Sequence, residues 1–118
     1  MRALPTIAPL LSAIIPAVIV PLLLVAPALA ADPPEIPLVI EKKQFHPQEL
    51  KVKAGAPFVI VITNKDGAAA EFESKDLRVE KVVPAGKTIK VRVRALQPGT
   101  YSFLDDFNKQ ATGRVIAE

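Results

Sequence analysis

The sequence predicts an all-β fold, a sandwich of about seven or eight short strands. Three observations predict it. Beyond residue 31 apolar and polar side chains alternate with period two, and no segment keeps a helical period. The apolar runs are rich in Val, Ile and Thr, which suit a pleated surface. Turns carrying Pro or Gly separate these runs at short intervals. Short strands joined by tight turns make an antiparallel sandwich the expected arrangement.

The first thirty residues stand apart. Arg2 is the only charged side chain before Asp32, and the apolar run between them closes on Ala28-Leu29-Ala30, the small-x-small pattern that a signal peptidase reads. Residues 1–30 are therefore expected to be a secretory signal, cleaved after Ala30. A retained membrane anchor is the competing reading, and the length allows it. Pro5, Pro9, Pro16, Pro21 and Pro27 argue against it, because each removes a helix donor with no neighbouring helix to compensate. Residues 31–37, ADPPEIP, read as an extended Pro-rich linker. The domain is expected over residues 38–118.

Taken in order, Leu50 and Val52 alternate with Lys51 and Lys53, as in a half-buried strand. Residues 58–63, FVIVIT, are nearly all apolar and read as a central strand covered on both faces. The strand ends at Asn64-Lys65-Asp66-Gly67, a turn signal. Residues 78–83 form a weaker strand before Pro84-Ala85-Gly86. Ile89, Val91 and Val93 then face one way while Lys90, Arg92 and Arg94 face the other. That basic row either docks an acidic partner or keeps the sheet soluble and unpaired. After Gln97-Pro98-Gly99, Tyr101 and Phe103 take core-facing slots of a strand. A loop over 105–112 leads through Gly113 to a closing strand at 114–117.

Composition excludes several functions. The formal charge of +3 is too small to argue for a nucleic-acid binder. With no Cys there are no disulfides and no thiol chemistry, so stability must come from the β-rich core. No Ser-His-Asp set, phosphate loop or nucleotide fingerprint is present, and the protein is not expected to be an enzyme.

Five phrases carry a resemblance. The chain reads QFHPQELKVKAG, then a strand ending in Asn64, then PAG at 84–86, then PGTYSF at 98–103, then GRVIAE at 113–118. In that order they resemble the cupredoxin superfamily over residues 38–118. The run from Glu71 to Lys81, EFESKDLRVEK, is similar to the EfeO-type cupredoxin-like branch. The resemblance implies a cupredoxin-like Greek-key β-sandwich. It also implies a periplasmic location and, as partners, an iron-uptake permease and periplasmic iron-binding proteins. Contact with the membrane is then expected only through that permease or an uncleaved N-terminal segment.

A blue-copper centre needs two His, one Cys and a weak axial ligand, usually Met. The resemblance lays Glu71 on the first His position, Asp105 on the Cys, Asn108 on the second His and Ala111 near the Met. His46 is the sole imidazole, Cys is absent, and Met1 falls in the leader, so composition excludes such a centre. Oxygen ligands remain at those positions. Glu71, Glu73, Asp105 and Asp106 are the candidate metal ligands, expected on two loops that meet at one end of the sandwich. Hard carboxylates suit iron, manganese or calcium, and cupric ion binds most mixed sites tightly. Iron is favoured by the family context; copper is possible, not as a blue-copper centre. Oxidation of ferrous iron is left only if a partner supplies the missing ligands.

The competing reading needs no metal. Glu71, Glu73 and Asp76 are then solvated charges, and Asp105 and Asp106 cap the turn after them. The function becomes a metal-free protein-interaction module that presents Phe72 and Phe107, or the basic row, to a partner. His46 reads most simply as a surface residue.

Overall fold

The computed structural model describes residues 2–27 and 31–118. The chain divides into two units, Met1–Ala30 and Ala31–Glu118. Residues 2–27 are exposed and form neither helix nor strand, and no helix among the described residues is long and apolar enough to cross a membrane. The expected cleavage motif, Ala28 to Ala30, lies outside the described residues.

Nine strands build the second unit, one more than the upper expectation: β1 (Glu35–Glu41), β2 (Gln44–His46), β3 (Glu49–Val52), β4 (Phe58–Asn64), β5 (Ala70–Ser74), β6 (Val79–Val83), β7 (Thr88–Val93), β8 (Gly99–Asp105) and β9 (Asn108–Ala117). They form two sheets, ordered β2-β1-β4-β7 and β3-β9-β8-β5-β6. The sandwich is all-β but not purely antiparallel, because β1 pairs parallel with β4 and β3 parallel with β9.

β1 starts inside the run read as a linker. Its Pro37 is tolerated for a geometric reason. The carbonyls of Pro34 and Ile40 bond to Val59 and Lys65, so even-numbered residues turn their backbone toward β4. Pro37, an odd-numbered residue, has its missing donor on the outer edge of the strand, where no bond is lost.

Alternation fills the space between the sheets. Phe58, Ile60 and Ile62 of β4 are buried, as are Leu38 and Ile40 of β1 and Val91 and Val93 of β7. On the other face of β4, Val59, Val61 and Thr63 are half-buried, so the strand expected to be covered on both sides is fully covered on one. Three rings centre the core: Phe103 lies 5.0 Å from both Phe45 and Phe72 between centroids. Phe103 crosses directly over its β9 partner Gly113, where a Cβ would come within 2.3 Å of the ring.

Asn64 ends β4 fully buried. Its Nδ2 donates to the carbonyls of Ala68 (2.8 Å) and Val83 (3.0 Å), and its Oδ1 accepts from the Asp66 amide (3.0 Å). Asp66 in turn accepts from the amides of Lys42 (2.7 Å) and Lys43 (2.8 Å), both at positive φ in the β1–β2 turn. Two loops are thereby tied to one buried amide.

The basic row does not form one free surface. Lys90 bonds Glu35 at 2.7 Å, and Arg94 donates to the carbonyls of Leu77 (2.9 Å) and Asp76 (3.3 Å).

Candidate functional site

The carboxylates singled out from the sequence do lie near one another, but on strands and a tight turn rather than two loops. Ala70, Phe72 and Ser74 face inward, so alternation sends Glu71 and Glu73 to the outer face of β5. β8 and β9 join through Asp106 and Phe107 alone, and β9 begins at Asn108. The loop expected over 105–112 is therefore a short turn followed by strand. A register shift at Leu104/Asp105 accompanies it. The Asp106 amide donates to the Glu71 carbonyl at 2.9 Å and holds this turn against β5.

One carboxylate oxygen from each of Glu71, Glu73 and Asp106 lies within 4.8 Å of the others. Among the described residues no other group of three such side chains forms. Glu71 is buried, with 8% of its surface exposed, while Glu73 and Asp106 are half-buried. Glu73 and Asp106 open onto a concavity of about 1010 Å³ on the outer face of the five-stranded sheet.

Asp105 stays outside the trio. It is buried, and its Oδ1 accepts from the amides of Glu71 (2.9 Å) and Phe107 (3.0 Å). Its carboxylate satisfies two backbone donors at the point where β5 meets the β8–β9 turn. Asp105 thus orients the trio without being one of its three oxygens.

The remaining positions are accounted for in the same way. Asn108 Nδ2 donates to the Lys43 carbonyl at 3.0 Å, and Ala111 is buried in the core. His46 lies on the edge strand β2, with Nε2 3.2 Å from the Glu41 carbonyl. Phe72 is fully buried and presents nothing to solvent, whereas Phe107 is 56% exposed on the turn.

Glu80 is the acidic residue that sequence reasoning did not assign to the site. It faces Glu73 across the β5–β6 ladder, so both lie on the outer face. Counting outward from the tight turn at 75–78 pairs these residues, and the hairpin register was the signal available in the sequence.

The crowding of acids acts on Glu71 and Glu73. The Glu71 carboxyl is pushed up to about 7, chiefly by its hydrogen bond with Glu80, then by burial and by the charges of Glu80, Asp106 and Glu73. Glu73 is raised by burial first, then by its hydrogen bond with Asp106 and the charges of Asp106 and Glu80, against the lowering effect of Lys75. Lys109 also reaches Asp106, at 3.6 Å. Glu71 thus holds its proton toward neutrality, and a hard cation is the ligand class that replaces a proton among carboxylates. The thiolate and imidazoles of a blue-copper centre have no counterpart here.

Comparison with known proteins agrees with the sandwich. The family described as cupredoxin-like domain matches residues 14–117. An uncharacterized protein of Rickettsia prowazekii is 32% identical over 83 residues, which span 70% of this chain and 66% of that protein's length. Among solved structures, the blue copper protein auracyanin A of Chloroflexus aurantiacus superposes with a TM-score of 0.62 at 15% identity, covering 74% of this chain and all of its own. The metal-binding domain of the Cu(I)-exporting P-type ATPase of Streptococcus pneumoniae gives 0.62 at 16% identity, covering 71% and 84%. A purple cupredoxin of Nitrosopumilus maritimus gives 0.55 at 16% identity, covering 70% and 98%. At these identities the likeness concerns the fold.

Proposed function

The chain belongs to the cupredoxin-like domain family and lacks its copper-binding cysteine, and from this premise we propose that it is an exported, non-enzymatic protein that binds a hard cation through Glu71, Glu73 and Asp106. The observation that carries the reading is the convergence of three carboxylate oxygens within 4.8 Å on one strand and the adjoining turn. Iron is the cation favoured, by the resemblance of residues 71–81 to the EfeO-type branch. In this reading the protein works in the periplasm, beside an iron-uptake permease and periplasmic iron-binding proteins. The half-open cluster suits a cation that is taken up and handed on rather than sealed in.

Equilibrium dialysis of the protein against ferrous, manganous, calcium and cupric ions, with oxygen excluded for iron, tests this. The expected result is about one bound cation per chain, and binding weakened roughly a hundredfold or more in Glu71→Gln/Asp106→Asn, since two charged ligands are lost. Equal binding by that isosteric double variant would sink the assignment.

A further inference from the structure

The hairpin of β1 and β2 turns in an unusual way, away from the carboxylate site. Glu41 pairs with Gln44, so Lys42 and Lys43 alone make the turn. Both lie at positive φ, 53° and 55°. A two-residue turn of this kind suits the twist of a hairpin, and its ordinary occupants are Asn-Gly, Asp-Gly or Gly-Gly, because the left-handed region crowds a Cβ. The other non-glycine residue at positive φ among the described residues, Arg78, stands singly. Two consecutive lysines in this conformation are strained, and two other segments hold them in it. The Asp66 carboxylate accepts from both amides, at 2.7 and 2.8 Å, and Asn108 Nδ2 donates to the Lys43 carbonyl at 3.0 Å. Strain of this sort persists where the surroundings over-determine it, and it gathers where side chains are used to bind.

The same bonds leave the lysines without counter-ions. Asp66 meets the turn, but its two oxygens are engaged by backbone amides. Lys65 and Lys87 share this end of the four-stranded sheet, since the Lys65 amide donates to the Ile40 carbonyl and the Lys87 carbonyl accepts from the Asn64 amide. All four lysines are exposed, and none makes an ion pair among the described residues. Only Glu41 and Asp66 oppose them on the same three turns, 41–44, 65–69 and 84–87.

We infer that this end of the sandwich, led by Lys42 and Lys43, docks an acidic protein surface. An excess of positive charge attracts an anionic partner. The strained turn chooses among such partners. A lipid surface responds to the number of basic residues near it, which any relaxed loop would supply equally well. Pairing with individual carboxylates depends on where the lysines are placed, and placement is what the strain secures. The inference is independent of any metal, because the carboxylate cluster lies on the other sheet.

Backbone amide shifts of the isotope-labelled full chain, titrated with oligoglutamate at low salt, test it. The expected result is saturable shifts centred on residues 41–44 and 65–66. Affinity should fall about tenfold in Lys42→Asn/Lys43→Gly. Lys51→Gln/Lys53→Gln, which removes as much charge beside β3, should change it by about twofold at most. Since Asn-Gly suits the turn, Lys42→Asn/Lys43→Gly is also expected to melt about 5 °C above wild type. An absence of shifts, or shifts spread evenly over the surface lysines, overturns the inference. So does equal binding by Lys42→Asn/Lys43→Gly, or a lower melting temperature, which would give the two lysines a purely structural role. Binding to phosphatidylglycerol vesicles without binding to oligoglutamate overturns it in favour of a lipid surface.

Discussion

Asp105 and Asp106 stand side by side and have different partners. The first turns inward to two backbone amides, and the second joins Glu71 and Glu73 at the surface. Protonation distinguishes the cluster from ordinary surface acids. Glu71 and Glu73 hold their protons to higher pH in the folded chain than when unfolded. The folded state therefore binds more protons than the unfolded state as pH rises from 4.5, the ordinary value, through about 7. Stability from this source is present at low pH and is lost as pH passes through 7. Without metal, the melting temperature is expected to fall between pH 5 and 8, and Glu71→Gln should flatten that fall. A chelator-treated melt at each pH checks it; identical slopes for the two proteins would contradict it. Glu71 was legible because resemblance aligned it with a ligand position, and Glu73 and Asp106 were legible as carboxylates close in sequence to such positions. Glu80 was reachable only by counting the β5–β6 hairpin register, and the inward turn of Asp105 depends on a register shift in β8–β9 that leaves no local mark.

At the level of elements, period-two alternation identified β7, and a continuous β-branched apolar run identified β4. Such patterns failed where a second constraint acts. β1 was hidden by Pro37, whose lost donor faces the unpaired edge, and the first half of β9 was hidden by its polar residues 108–110, of which Lys109 and Gln110 are exposed. Parallel pairing of β1 with β4 joins distant segments and leaves no local mark. Gly113 is where β8 and β9 depend most on one residue. Adding a Cβ would strike the Phe103 ring at 2.3 Å and the Gln48 carbonyl oxygen at 2.9 Å, and neither a core ring nor a backbone oxygen moves freely. Gly113→Ala is expected to cost about 2–3 kcal/mol through overpacking, lowering the melting temperature by roughly 10 °C. A melt within 2 °C or so of wild type would show that the ring relocates cheaply.

The second unit keeps a cupredoxin sandwich without the blue-copper ligand set. The rings of Phe45, Phe72 and Phe103 support β5 and β8 from inside, while the outward residues Glu71 and Glu73 of β5 and Asp106 of the turn after β8 carry the acids. The site therefore rests on packing that does not itself need a metal, so a fold intact without metal is compatible with metal binding. The most direct measurement is a thermal melt of the chelator-treated protein, then of the same protein with ferrous, manganous, calcium or cupric ion. A ligand at a hundred times its Kd stabilises the native state by about 2.7 kcal/mol, or roughly 15 °C for a domain of this size. The account predicts such a saturable rise, largest for iron among these ions, and its loss in Glu71→Gln/Asp106→Asn. No rise with any ion in a folded protein, or an equal rise in the double variant, would contradict it.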